Sequence, residues 1–176
     1  MNIIDATPEL ASVLSGADHI DVKTAESAAT LREFVAGAMG WQPGWMRALF
    51  RARTVLAKFL RLRDSYVPVG RPLRPEEISF SPGDKVAFFT VTDAVVDRYI
   101  VLASADTHLT GYLVIVTAPS AGGRARFEMA TIVKYKRWTG PLYFNVIRPF
   151  HHLMAIGMTR AGARSSASAP ERNTAS

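Results

Sequence analysis

Asp106 and His108 stand two residues apart, and Arg98 lies one apolar stretch earlier. A carboxylate beside an imidazole can move a proton or orient a carbonyl near neutral pH, and a guanidinium close by would hold an anion. The same spacing also serves a turn, with Asp106 accepting from local backbone N–H groups and His108 half exposed. His151 and His152 are adjacent, so on a helix they point about 100° apart and do not converge on one ion. No His-Glu-x-x-His pattern or further ligand at a useful spacing accompanies them, so no metal is expected. Arg148 and His151, three residues apart, would share a helix face and could meet one anionic group or form a solvated polar face. No Gly-x-Ser-x-Gly elbow, phosphate loop or dinucleotide fingerprint occurs; Gly122 and Gly123 fall between strands as turn residues. No cofactor is expected, and catalysis is left open on Asp106 and His108 alone.

Those residues need elements to position them. The segment Thr139 to Arg160 reads as one amphipathic helix capped by Thr139, with Pro141 in its first turn. At about 100° per residue, Leu142, Val146, Pro149, Phe150, Leu153, Ile156 and Gly157 form an apolar face, and Asn145, Arg148, His151, His152 and Thr159 fall opposite. Pro149 inside the helix predicts either a kink that opens space beneath it or a split into two short helices. Upstream, Lys85–Thr92, Asp97–Ala103, His108–Thr117 and Ala125–Lys136 read as four strands. In the last of these, Phe127, Met129, Thr131, Val133 and Tyr135 share one phase, and Arg126, Glu128, Lys134 and Lys136 the other. That split predicts a sheet with one covered and one wet face. Short connections make it an antiparallel meander. Ala17–Val22 adds a further edge strand.

Between them, Thr24 caps a helix over Ala25–Met39, and a second helix runs over roughly Trp45–Arg63. The second carries Trp45, Leu49, Ala52, Leu56, Phe59 and Leu60 on one stripe and Arg47, Arg51, Lys58 and Arg61 on the other. Such a basic amphipathic helix suits an anionic membrane surface or a protein partner, or simply covers a core. Domain organisation follows as a lead-in over 1–16, one domain over 17–160 and a disordered tail over 161–176.

A chain of 176 residues at 48% hydrophobic and 20% charged is an ordinary globular domain. The absence of cysteine excludes disulfides and thiolate chemistry. Asp5 and Glu9 stand where a signal peptide would be basic, and no apolar run is long enough to cross a bilayer, so a soluble cytoplasmic protein is expected. The net charge of +6 suits an anionic partner. The strands lack the basic and aromatic signature of an RNA-binding sheet, so nucleic acid is not expected.

The runs Asp97-Arg-Tyr-Ile-Val-Leu102, Asp106-Thr-His-Leu109, Thr131-Ile-Val133 and Gly140-Pro-Leu-Tyr143, followed by Ile147-Arg-Pro-Phe-His151, resemble a bacterial family known only as a domain of unknown function. The Ile-Arg-Pro-Phe-His run is the most specific, and the resemblance spans roughly Ala17–Gly162. It implies a place near the helix-grip superfamily of the START lipid-transfer domains and the birch-pollen allergen. Two departures are visible, five strands rather than six or seven and Pro149 in the grip helix. The implied fold class is α+β, a curved antiparallel sheet wrapped around a long C-terminal helix, with two further helices near the N-terminus.

The expected function is non-catalytic binding of a small hydrophobic or amphipathic ligand between sheet and helix. Tyr99, Tyr112, Phe127, Met129, Thr131, Tyr143, Val146 and Phe150 would line the cavity, with Arg98 and His108 as polar anchors. The rivals are a cyclase- or hydrolase-type enzyme using Asp106 and His108, a membrane or partner module using Arg47, Arg51, Lys58 and Arg61, and a filled core with no ligand.

Overall fold

The structure, a computed structural model, describes residues 2–46, 48, 55, 72–105 and 109–165, apart from the side chains of Thr139 and Tyr143. Six strands form one curved antiparallel sheet: β1 His19–Ser27, β2 Lys85–Val86, β3 Phe89–Val95, β4 Tyr99–Ala105, β5 Leu109–Pro119 and β6 Ala125–Tyr135. Their order is β1-β6-β5-β4-β3-β2, so the first strand closes onto the last. Helices with both ends among the described residues are the single turn α1 Ala11–Leu14, α2 Leu31–Gly40 and the 26-residue α3 Thr139–Arg164, and residues 44–46 are also helical. Short 3-10 turns stand at Pro8–Leu10, Pro75–Glu77 and Ala121–Gly123.

The long strands β5 and β6 lie where the sequence places them. The segment read as one strand over Lys85–Thr92 is instead a hairpin, turning at Ala87 with φ +55°. This gives six strands in place of five. The expected turn at Asp93–Val96 is mostly strand, and the chain reverses at Asp97, whose φ of +59° an aspartate tolerates better than most residues. β1 runs through Ala25, Glu26 and Ser27, which the sequence reading assigns to a helix. Pairing of Ala25 with Phe127 and Ser27 with Ala125 outweighs the helical preference of that Ala-rich stretch. α2 begins at Leu31 behind a reciprocal cap, in which Glu33 N–H donates to Thr30 Oγ1 at 3.2 Å and Thr30 N–H to Glu33 Oε2 at 2.7 Å.

One face of the sheet carries Ile100, Leu102, Leu113, Ile115, Phe127 and Met129, packed against α2 and α3. Phe34 of α2 stacks on Phe127 with ring centroids 4.3 Å apart. The opposite face is not wet. Ile4 and Leu10, with Val13 and Leu14, cover Val101, Val114, Ala130 and Ile132. The residues expected as a lead-in therefore form an outer layer. Glu128, placed by alternation on the solvent side, is fully buried beneath it and accepts from Ile4 N–H at 3.1 Å and Arg126 Nη2 at 2.9 Å.

α3 passes through Pro149 as one helix rather than two, and it continues to Arg164. Its first half turns the expected apolar face outward, although Asn145, Arg148 and His152 are exposed as read from the sequence. Phe144, Ala155, Thr159 and Gly162 are buried, while Leu142, Val146, Phe150 and Leu153 are exposed. Neighbouring elements approach α3 closely. A Cβ on Gly162 would sit 2.8 Å from Phe34 O, and one on Gly157 would sit 2.1 Å from the Trp41 ring. The two glycines lie about 140° apart on the helix, so Phe34 and Trp41 approach from different sides, and Gly162 is the one on the buried side with Phe144 and Ala155. Ser27 Oγ donates to Ala163 O at 2.7 Å, tying the end of β1 to the end of α3.

Candidate functional site

The first half of β1 is built on the alternation His19, Asp21, Lys23. These residues pair with Val133, Thr131 and Met129 and so face α3. The helix presents Phe144, Arg148, His151 and His152 towards the same region. Between them lies a cleft of about 760 Å³, lined by His19, Ile20, Asp21 and Thr131 from the sheet. From α3 it takes Phe144, Asn145, Arg148, Pro149, His151, His152 and Leu153.

Phe144 is the buried hub of the cleft's inner wall. Its ring lies 5.0 Å from that of His19, 5.8 Å from His151 and 6.1 Å from Tyr135, all tilted. Burial lowers the pKa of His19, and the Arg148 guanidinium lowers it further, outweighing the nearby Asp21. The imidazole is thus held neutral beside a permanent cation. Burial also raises Tyr135, helped by the charge of Asp18 and opposed by Arg148. Asp21 behaves differently. Burial pushes its carboxyl up, but Lys23, which donates to Oδ1, and His152, whose Nδ1 lies 3.2 Å from Oδ2, together hold it down.

The chemistry available is therefore a largely apolar pocket with one guanidinium, three imidazoles, and a carboxylate already engaged by Lys23 and His152. An anion is better accommodated beside Arg148 than a cation. Among the described residues no three His, Asp or Glu side chains converge as a metal site. The Asp21–His152 pair resembles the arrangement by which a carboxylate orients an imidazole.

The residues singled out in the sequence fall into separate places. Thr131 lines the cleft. Phe127 and Met129 are sealed in the core, Met129 meeting the Thr159 hydroxyl at 3.9 Å. Tyr99 and Tyr112 belong to the opposite face of the sheet, one residue out of phase with Ile100 and Leu113. There Tyr99 donates to Asp93 Oδ2 at 3.0 Å, and Lys134 lies over the Tyr112 ring. Val146 and Phe150 are on the outer side of α3. Arg98 is exposed on the β3–β4 turn and pairs with Glu9 at 3.4 Å. Asp106, His108, the Tyr143 side chain and the basic set Arg47, Arg51, Lys58 and Arg61 lie outside the described residues. The reading that Arg148 and His151 share a helix face marked two of the cleft residues. His19, Asp21 and His152 were missed, although the polar phase of β1 was a signal for the first two.

The family described as "Protein of unknown function (DUF2867)" matches residues 13–158. The chain belongs to that family. Its curved antiparallel sheet packs against one long C-terminal helix, as expected from the sequence. Truncated norcoclaurine synthase from Thalictrum flavum is similar at 10% identity and a TM-score of 0.43, covering 86% of this chain and 95% of that one. A START superfamily protein from Mycobacterium smegmatis is similar at 13% identity and a TM-score of 0.38, covering 82% and 97%. No curated protein matches the chain.

Proposed function

We propose that this DUF2867 domain binds a small amphipathic molecule without chemical turnover, in the cleft between β1 and α3. The cleft itself carries the reading. Its volume of about 760 Å³ falls in the range of small-molecule sites, and it has an aromatic wall with a few convergent polar groups. The apolar body would lie along Phe144, Pro149 and Leu153. An anionic head, carboxylate or sulfonate, would meet Arg148, with the neutral His19 imidazole beside it.

The test uses anilinonaphthalene sulfonate, an aromatic body with one fixed negative charge, as a fluorescent probe. Saturable binding, displaced by medium-chain fatty acids, is expected. Arg148→Ala should weaken it by roughly tenfold or more, the size of one lost charge-assisted contact. Native mass spectrometry of protein purified from its own cells should show a co-purifying small apolar mass. Probe binding indifferent to both Arg148→Ala and Phe144→Ala would overturn the assignment to this cleft.

A further inference from the structure

The outward face of α3 has a composition that the cleft does not explain. Leu142, Val146, Phe150 and Leu153 are between 43% and 55% exposed, and Trp138, just before the helix, is 82% exposed. With Pro149 they form one stripe about 17 Å long, since each residue advances the helix by 1.5 Å. Eighteen residues make five turns, so the exposed Arg160 stands directly in line with Leu142, and the exposed Arg164 in line with Val146. The exposed Arg137 precedes the helix.

Charge sorts onto the same element. Residues 135–165 contain five Lys and Arg and no Asp or Glu, against sixteen basic and fifteen acidic residues elsewhere. Five of the chain's six excess positive charges therefore lie on α3 or just before it. No helix of the described residues is long and apolar enough to cross a membrane, and this stripe is too short and one-sided to do so.

We propose that the outer face of α3 is a docking surface for an anionic lipid bilayer. Leu142, Val146, Phe150 and Leu153 enter the acyl boundary, Trp138 sits at headgroup level, and Arg137, Arg160 and Arg164 meet lipid phosphates. An apolar stripe with an indole at one end and arginines at both is what an in-plane interfacial helix presents. A protein partner or second copy would be served by the apolar stripe alone. The exclusion of every carboxylate from this stretch is what favours a polyanionic surface. Leu142, Val146 and Phe150 lie outside the cleft, whereas Pro149 and Leu153 also line it, so the test is made on the residues that the cleft does not use.

The test is co-sedimentation of the full chain with vesicles of equal parts phosphatidylglycerol and phosphatidylcholine, against phosphatidylcholine alone. Binding to the anionic vesicles only is expected, falling as salt rises. The double variant Val146→Asp/Phe150→Asp changes exposed positions outside the cleft, so its circular dichroism should match the parent while partitioning drops by about tenfold or more. Arg160→Glu/Arg164→Glu should keep the fold and lose most of the salt-sensitive part. Absence of binding, equal binding to neutral vesicles, or binding unchanged in both variants overturns the proposal. So does a parent that runs as a dimer in solution and becomes monomeric in the Val146/Phe150 variant, because the stripe would then belong to a second copy.

Discussion

The Nδ1 of His152 lies 3.2 Å from Oδ2 of Asp21, joining the middle of α3 to the edge strand β1. The other carboxylate oxygen is held by Lys23. The contact is partly open to solvent, so its direct contribution is of order 0–1 kcal/mol. Its larger significance is positional, since it holds one wall of the cleft against the other.

Acid sensitivity follows from two neighbours in β1. Burial and Arg148 hold the folded-state pKa of His19 below its ordinary 6.5. The unfolded chain then binds the proton more readily, so stability is full above about pH 6.5 and is lost as pH falls towards the lowered folded value. Asp21, held below its ordinary 3.8 by Lys23 and His152 against the opposing effect of burial, adds stability above that value that disappears at still lower pH. Thermal melts from pH 8 to pH 3 should show two declining limbs. His19→Gln should flatten the limb that begins below pH 6.5, and Asp21→Asn the more acidic one. A parent-like profile in His19→Gln would assign the upper limb to another group.

Gly162 predicts an inversion of helix propensity. Alanine is favoured over glycine in a helix interior by about 1 kcal/mol. Here its Cβ would meet Phe34 O at 2.8 Å and the Phe34 ring at 3.0 Å, and a backbone carbonyl cannot swing aside. Gly162→Ala should therefore destabilise by about 1–3 kcal/mol in denaturant unfolding. Gly44, with nothing within 4 Å of the built Cβ, is the matched control and should be neutral or slightly stabilised as alanine.

Glu128 anchors the outer layer. Replacing it with alanine leaves the buried Ile4 N–H without its acceptor and Arg126 without its carboxylate. A loss of about 1–3 kcal/mol is expected. Hydrogen exchange should accelerate first over residues 3–14, ahead of β4, β5 and β6. Uniform acceleration across the sheet would show instead that the N-terminal layer and the sheet unfold together.

Much of the sheet was legible because β5 is a long apolar run, β6 shows a period-two split, and both end near turns that carry glycine and proline. The start of α2 was legible in principle, since Thr30 and Glu33 stand at capping-box spacing. It was obscured by the alanines around it, whose strand pairing with β6 is a long-range contact that no local pattern reports. The rotation of α3 was hidden for a different reason. Bulky apolar residues usually face inward, but the side of α3 that packs against α2 carries Gly162, which the approach of Phe34 selects. The site suffered from both effects. Arg148 and His151 could be paired from their spacing. Their companions His19 and Asp21 come from a strand more than a hundred residues earlier, in the phase that reads as solvent-facing.

The adjacency of β1 and β6 also sets an order of events. Partners such as Ser27 and Ala125 are more than ninety residues apart, whereas β3 to β6 are joined by short reversals. During synthesis the N-terminal strand has nothing to hydrogen-bond until nearly the whole domain has left the ribosome. The late hairpins can form among themselves, and loop-closure entropy makes docking of β1 the slow, final zipper. The cleft is therefore complete only once β1 has docked beside β6.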